Sequence, residues 1–202
     1  MKRDDSYHKE DLRGDLVKAG LAHVHQHGHA SLSVRTLAQA VGVSPGAPYH
    51  HFPDRRSLLL AIAIAGFEEL IRQGSAMAGA HLSGTERLKA LGMSFIEFSD
   101  AHPKLMELMY ESELAAPQHD RELEKLQRAG QNLVREAIRA ELPRLSPRNI
   151  ELRAVGYWSL IYGFAALRRK ANLPSLQAFK MDAREVARSV THQAALNAVG
   201  TG

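Results

Sequence analysis

The chain has 202 residues, of which 45% are hydrophobic, which is enough to bury a sizeable core. It contains no cysteine, which excludes disulfides, thiol catalysis and cysteine metal sites, and its longest apolar run, residues 58–67, is too short to span a bilayer. Lys and Arg number 26 against 22 Asp and Glu, so charge alone does not indicate a nucleic-acid partner. No apolar stretch follows the charged start of the sequence, so we expect no signal peptide, no membrane partner and a cytoplasmic protein.

The first predicted element is a helix over residues 10–27. Leu16, Gly20, Leu21 and Val24 fall at spacings of three and four, which places them on one helix face, and Gly28 follows as a stop signal. Helix signals continue along the rest of the chain, and no segment shows a convincing strand pattern.

Polar residues mark the starts of the next three predicted helices. Ser33 is expected to cap a short second helix that Gly42 ends, and Ser44 to cap a third helix of about two turns with Pro45 at its first position. Asp54 is expected to cap a fourth helix that continues to about residue 73.

The second and third predicted helices have the arrangement of a helix-turn-helix, in which the second member needs only its first residues at the DNA groove. Pro45 and Pro48 would stiffen the start of that recognition helix. Gly46 and Ala47 leave no bulk between the backbone and a phosphate or base edge.

The segment from Leu16 to Leu60 resembles the DNA-binding domain of the TetR (tetracycline-repressor-like) family of bacterial regulators. The resemblance lies mainly in the stretch SVRTLAQAVGVSPGAPYHHFPDRRSLL, residues 33–59. Val24, His29 and Leu32 depart from the residues usual in the family, at positions that concern packing more than DNA contact. The residues that recur in register are Ala38, Gly42, Val43, Ser44, Tyr49, Phe52 and Leu58.

The resemblance implies a DNA-contacting surface whose chemistry the residues support. Tyr49 offers a ring for a thymine methyl group, and His50 offers a phosphate donor. Arg55 corresponds to a phosphate contact of the family, and Arg35 and Thr36 point toward a flanking backbone strand. The predicted DNA-binding residues are Arg35, Thr36, Ser44, Pro45, Gly46, Ala47, Tyr49, His50 and Arg55.

Alternating histidines in the N-terminal region raise the alternative of a metal-sensing regulator. Among His23, His25, His27 and His29, only His23 and His27 share a helix face, and they supply two ligands where zinc takes three or four. We therefore expect a solvated polar face, with no metal ligands and no cofactor.

Beyond residue 75 the sequence predicts a second set of helices. Ser83 and Glu86 form a capping box for a fifth helix, which His102 and Pro103 break before a short sixth one. Three longer helices are then predicted over residues 120–142, 147–171 and 174–199. The predicted fold is thus all-α with about nine helices.

The eighth predicted helix is apolar nearly all round from Glu151, so one of its faces has to meet something other than its own domain. Its sequence YWSLIYGFAAL is similar to the tryptophan-histidine-glycine signature of one TetR subgroup, with Trp158 and Gly163 in place and Tyr162 where histidine is usual. The family resemblance implies a homodimer through the last two helices. We predict a DNA-binding domain at residues 9–69, joined by the long fourth helix to a ligand-binding and dimerisation domain at residues 70–202.

The C-terminal domain is expected to hold a small hydrophobic or aromatic effector, because methionine adapts its shape and Tyr and Trp add a polar end. The chain has no phosphate loop, dinucleotide glycine pattern or Gly-x-Ser-x-Gly motif, which argues against an enzyme. The family resemblance implies a repressor that binds a palindromic operator and is released by its effector; a helical small-molecule-binding protein without a DNA function is a further alternative. The candidate effector-binding residues are Phe95, Phe98, Met106, Met109, Tyr110, Trp158 and Tyr162.

Overall fold

The computed structural model describes residues 11–79, 81–112, 120–171, 173 and 180–200, and every regular element within them is helical. The prediction of an all-α fold is confirmed, and none of the described helices is long and apolar enough to cross a membrane. A 3₁₀ helix, Ala47–His50, lies between α2 and α3, and a π-helical turn, Glu107–Glu111, continues α5. The α-helices are α1 (Leu12–His27), α2 (Val34–Val41), α3 (Arg55–Met77), α4 (Gly84–Ala101), α5 (Pro103–Met106), α6 (Arg121–Glu141), α7 (Pro147–Arg169) and α8 (Ala183–Val199).

The helices form two compact units. The first comprises Met1–Phe67 and His102–Leu123, and so contains α1, α2, the 3₁₀ helix and α5. The second comprises Glu68–Ala101 and Glu124–Gly202, with α4, α7 and α8. The chain passes from one unit to the other inside α3, between α4 and α5, and inside α6, and the predicted functional division at residues 69 and 70 stays a prediction.

The first unit is built around the buried face of α1. Leu16 and Val24 lie on this face and are almost fully buried, as the helical spacing predicts. Gly20 lies between them, where an added Cβ would come within 2.4 Å of Ile62 Cδ1 on α3 and 3.4 Å of Leu37 Cδ1 on α2. The absence of a side chain at Gly20 therefore lets three helices pack closely.

The predicted helix ends are confirmed at several positions. The side chains of Ser33, Asp54 and Ser83 each accept a hydrogen bond from the amide three residues later, at 3.0, 2.7 and 3.2 Å. Gly28 and Gly42 follow α1 and α2 with φ angles of 80° and 76°, which glycine adopts without the steric cost of a Cβ.

The third predicted helix is a single 3₁₀ turn, and the prediction of a two-turn α-helix capped by Ser44 was wrong. In such a helix the amide of residue 48 would donate to the Ser44 carbonyl, but Pro48 has no N–H. Instead the amide of Ala47 donates to the Ser44 carbonyl at 3.1 Å and that of Tyr49 to the Gly46 carbonyl at 3.2 Å. Both bonds span three residues, which is the 3₁₀ pattern.

The last helix, α8, begins later than predicted. Asp182 caps it by accepting hydrogen bonds from the amides of Arg184 and Glu185, at 3.1 and 2.8 Å. Lys180 has a φ of 50°, so an α-helix cannot continue through it from residue 174. Residues 174–179, where the start was predicted, lie outside the described residues.

The second unit packs α4, α7 and α8 against one another. At their junction an added Cβ on Gly92 would come within 2.9 Å of Thr191 Cγ2 and 3.0 Å of Ile161 Cδ1. Tyr157 is buried beside it and donates its hydroxyl hydrogen to the Leu88 carbonyl at 2.6 Å. Burial raises the pKa of Tyr157 far above its ordinary value, so this hydroxyl stays a donor.

Candidate nucleic-acid interface and effector site

The 3₁₀ helix forms an exposed tip on the first unit. Tyr49 is 51% exposed although it is large and aromatic, and His50 beside it is exposed as well, whereas Pro48 is buried. An added Cβ on Gly46 would meet nothing within 4 Å, so packing does not require glycine at this position. Among the other predicted contact residues, Ser44 and Pro45 are exposed and Ala47 is half-buried.

The tip is anchored by Phe52, which is buried at the end of the turn. Its amide donates to the Pro48 carbonyl at 2.8 Å, and the guanidinium carbon of Arg13 on α1 lies 5.6 Å from its ring centroid. This distance is within the range of a cation–π contact. Arg13 was missed by the sequence analysis, because nothing local to it indicates an aromatic partner 39 positions away.

Arg35 and Thr36 lie in the first turn of α2, and both are exposed. The amide of Thr36 donates to Ser33 Oγ, and its hydroxyl lies 2.5 Å from the same oxygen. The first turn of a helix presents backbone N–H groups that favour anions, so both residues stand where a phosphate could be bound.

Arg55, predicted to bind phosphate, is held by the connection between α1 and α2. Its Nε donates to the Leu32 carbonyl at 2.8 Å, and its Nη2 donates to the carbonyls of His29 at 2.5 Å and Ala30 at 3.3 Å. These bonds use one edge of the guanidinium, and Nη1 takes part in none of them. Arg55 therefore has a positioning role that the sequence analysis did not find.

The N-terminal histidines form pairs. The rings of His23 and His27 are 5.0 Å apart, and His23 Nε2 lies 3.0 Å from Ser31 Oγ. The ring of His25 stacks on that of His102 at 4.6 Å. Burial lowers the pKa values of His23 and His25, and the neighbouring imidazoles of His27 and His102 lower them further. No three His, Asp or Glu side chains of the described residues form a set that could hold a metal.

Four of the predicted effector-binding residues belong to the second unit. Phe95 of α4 is buried, and its ring centroid lies 5.4 Å from that of Trp158 and 6.3 Å from that of Tyr162, both on α7. Phe98 is buried on the same helix as Phe95. The structure therefore brings Phe95, Trp158 and Tyr162 into one aromatic cluster.

The other three predicted effector-binding residues belong to the first unit. Met106 and Met109 are fully buried, and an added Cβ on Gly66 of α3 would come within 2.7 Å of the Met109 sulfur. The ring of Tyr110 lies 5.2 Å from that of Phe67. These residues pack within the first unit, and their role in an effector site stays a prediction.

An apolar stripe is exposed on α7. It runs through Leu152, Val155 and Leu167, which are 60, 55 and 43% exposed. Gly156 and Gly163 lie between them, and an added Cβ on either would meet nothing within 4 Å. On α8, Leu196 is 43% exposed. The apolar sequence of this helix predicts an outward-facing apolar surface, and the exposed stripe agrees with that prediction.

Two family models match the chain. The model described as bacterial regulatory proteins of the tetR family matches residues 16–62, and the model described as a tetracyclin repressor-like C-terminal domain matches residues 88–194. The chain is similar to the HTH-type transcriptional regulator CymR of Pseudomonas putida, with 33% identity over 82 residues, 41% of this chain and 38% of that protein. It is also similar to the HTH-type transcriptional repressor AcnR of Corynebacterium diphtheriae, with 47% identity over 38 residues, 19% of this chain and 20% of AcnR. The matches therefore span less than half the length of these relatives.

Solved structures share the fold over nearly the whole chain. A protein of unknown function from Rhodococcus sp. RHA1 superposes with a TM-score of 0.78 at 25% identity, covering 97% of each chain. A transcriptional regulator of the TetR/AcrR family from Thermobifida fusca superposes with a TM-score of 0.66 at 20% identity, covering 95% of this chain and 99% of that one.

Proposed function

Because this chain belongs to the TetR family of bacterial regulatory proteins, we propose that it is a cytoplasmic transcriptional repressor that binds a palindromic operator as a homodimer and is released by a small effector. The observation that carries the proposal is the exposed tip, in which Tyr49 faces solvent above the buried Pro48 and Phe52. The family consists of DNA-binding regulators, so we assign no catalytic residues. The similarity to AcnR, a repressor by name, supports repression.

In the proposed complex the tip enters the major groove and the surrounding residues bind the backbone. Tyr49 contacts a base edge or thymine methyl group. Because Gly46 has no side chain, the backbone of the tip can approach the DNA closely. Arg35 and His50 bind phosphates, and Arg55 offers its Nη1 to another phosphate while its other edge holds the connection from α1 to α2. Thr36, Ser44, Pro45 and Ala47 complete the proposed contact surface.

The proposed dimer forms through α7 and α8. An exposed apolar stripe on a helix is a feature of association surfaces, and Gly156 and Gly163 would let a partner helix approach closely. The similarity of α7 to the tryptophan-histidine-glycine subgroup is part of this proposal.

The proposed effector is small and hydrophobic or aromatic, and it binds in the C-terminal domain. The cluster of Phe95, Trp158 and Tyr162, with the buried Phe98, supports this site. Met106, Met109 and Tyr110 belong to the first unit, so they are not part of the site proposed here and stay candidates from the sequence. By linkage, an effector that weakens operator binding must itself bind the operator complex more weakly by the same factor.

The experiment that tests the proposed function is a footprint of the purified protein on the DNA adjoining its own gene, at stated salt, with random DNA of equal length as the control. We expect two protected half-sites whose centres lie about 34–36 Å, or a multiple, apart. One asymmetric half-site bound by monomers, or equal affinity for random DNA, would contradict the proposal.

A further inference from the structure

The aromatic cluster of the second unit contains a buried hydrogen-bond donor that has no acceptor: Trp158 Nε1 has no partner among the described residues. We infer that the effector is a neutral, largely apolar molecule that accepts a hydrogen bond from this indole through a carbonyl, ester or ether oxygen. This inference rests on the proposed function, because it names the chemical class of the effector at the proposed site.

Trp158 is held in place by its neighbours. Its ring meets that of Phe95 at 5.4 Å and that of Tyr157 at 5.6 Å, both in edge-on arrangements with interplanar angles of 67° and 76°. Tyr157 is itself fixed by the bond from its hydroxyl to the Leu88 carbonyl. The indole is therefore oriented without using its N–H.

An indole N–H can only donate a hydrogen bond, so it has to be paired with an acceptor. A buried donor without a partner costs free energy, and such groups are uncommon in native structures unless a ligand or water completes them. An oxygen on a bound effector would accept the hydrogen bond from Trp158 Nε1. An effector with this oxygen should therefore bind more tightly than one with an apolar group of the same shape in its place.

The surroundings favour a neutral effector over a charged one. The buried polar residues of the described chain are Ser94, Ser99 and Thr191, none of which carries a charge. A buried ionised group without a partner of opposite charge is very unfavourable. A carboxylate effector in this cluster would therefore meet no fully buried charged residue among the described ones, and Arg87 of α4, whose Nε is buried, lies eight residues before Phe95, about 12 Å along the helix axis.

Three of the arginines of α7 already bind other groups of the protein. Arg153 donates to carbonyls at the end of α8 at 2.9 Å, Arg168 pairs with Asp100 at 2.6 Å, and Arg169 donates to Ser99 Oγ at 2.7 Å. Arg169 also lies eleven residues beyond Trp158, about 16 Å along the helix axis. These cations are poorly placed for an anion at the indole.

Ser94 provides a comparison within the same unit, because its buried Oγ also has no partner among the described residues. It precedes Phe95 on α4, but its Oγ lies toward α3, 3.9 Å from an added Cβ on Gly74. Ser94→Ala therefore removes an orphan polar atom that the inference does not use.

The test compares probes that differ only in the accepting atom. Acetophenone carries a carbonyl, α-methylstyrene replaces its oxygen by a CH₂ group, and benzoate carries a charge; 2-acetylnaphthalene, 2-isopropenylnaphthalene and 2-naphthoate form a larger series. Binding is measured by calorimetry on the full chain, and for the phenyl series also by fluorescence, since Trp158 is the only tryptophan. We expect a ketone to bind about tenfold tighter than its alkene, which corresponds to about 1.4 kcal/mol.

Trp158→Phe keeps the aromatic ring and removes the donor, so we expect the ketone preference to vanish in it and to persist in Ser94→Ala. Equal binding of ketone and alkene, tightest binding of a carboxylate, no binding of either ketone, or a preference that survives Trp158→Phe would overturn the inference. If Trp158→Phe fails to fold, the comparison of ketone, alkene and carboxylate on the unmodified protein still tests the inference. Operator binding without any probe is measured first, so failure of the proposed function is seen separately.

Discussion

At the scale of single residues, the candidate DNA surface combines exposure with rigidity. Tyr49 is exposed on a turn that is held by the buried residues Pro48 and Phe52 on either side of it. Arg13 of α1 packs on the Phe52 ring. Arg55 holds the connection from which α2 starts. A side chain that reads a base has to be positioned before contact, since ordering it on binding costs conformational entropy.

Tyr49→Ala is expected to reduce the preference for operator over random DNA. A base-edge or methyl contact supplies about 1–3 kcal/mol of discrimination, and Tyr49 is 51% exposed and so open to such a contact. Competition binding at fixed salt measures the ratio of the two affinities. Tyr49→Phe is the matched control, because it keeps the ring for a thymine methyl group. An unchanged ratio in Tyr49→Ala would place the recognition surface elsewhere.

Substitutions of Arg55 are expected to separate its two roles. Arg55→Ala should weaken binding to operator and random DNA alike and lower the salt slope by about one. Arg55→Lys keeps the charge but cannot reproduce the bonds from Nε and Nη2 to three carbonyls, so it should keep the slope while lowering stability by about 1 kcal/mol. Salt titrations and urea unfolding measure the two effects. A slope unaffected by Arg55→Ala would leave Arg55 with the positioning role alone.

At the scale of elements, close packing around α1 decides how the helix-turn-helix is held. The same helix contacts α2, the 3₁₀ helix and α5. At its C-terminal end Lys104 of α5 donates to the Gln26 carbonyl at 2.6 Å, beside the stacked rings of His25 and His102. We therefore expect single substitutions on the buried face of α1 and at its C-terminal end to change the stability of the protein.

Gly20→Ala is expected to destabilise the protein by about 1–3 kcal/mol, because its Cβ would overlap Ile62 Cδ1 at 2.4 Å. Gly46→Ala is the matched control, since it meets nothing within 4 Å and has a φ of −84° that alanine adopts readily. Urea unfolding measures both. Equal stability of the two variants would show that α1, α2 and α3 can separate at no cost.

His23 and His25 are expected to make stability depend on pH. Because the pKa values of His23 and His25 are lower in the folded protein than in the unfolded chain, the unfolded chain binds more protons as the pH falls below about 6.5. Stability should therefore be greatest above this pH and decline below it, and His25→Asn should reduce the decline. Thermal unfolding at several pH values measures this, with His51→Asn as the control. A pH profile identical in His25→Asn would contradict the expectation.

At the scale of the whole molecule, the proposed function needs two copies of the chain. The packing of the second unit does not cover the apolar stripe of α7. Leu152 and Val155 are more than half exposed, although the other face of the same helix is buried. Burying such a surface against a second copy is favourable in proportion to its apolar area.

Leu152→Asp with Val155→Asp is expected to raise the dimer dissociation constant at least about tenfold, because two buried, unpaired carboxylates oppose association. Operator affinity should fall with it, since a monomer reaches one half-site only. Light scattering and circular dichroism check the assembly and the fold. Met181→Asp, which charges an exposed apolar residue outside α7 and α8, is the control. A double variant that stays dimeric would place the interface elsewhere.

The sequence by itself determined the features that depend on neighbouring residues. The caps at Ser33, Asp54 and Ser83 and the stops at Gly28 and Gly42 are local in the chain, so the helix ends could be predicted from residue order. The 3₁₀ turn was predictable in principle too, because Pro48 lacks the amide that the predicted α-helix needed.

Tertiary structure alone decided which distant residues meet. Arg55 reaches carbonyls 23 to 26 positions earlier, and no local pattern indicates those partners. The sequence does not show that the seven aromatic and methionine candidates belong to two units, with Met109 against Gly66 in the first and Phe95 against Trp158 in the second, and their grouping in one site stays a prediction. The physical reason is that helical periodicity shows which face of a helix is buried, while the side chains that meet that face depend on how the helices pack.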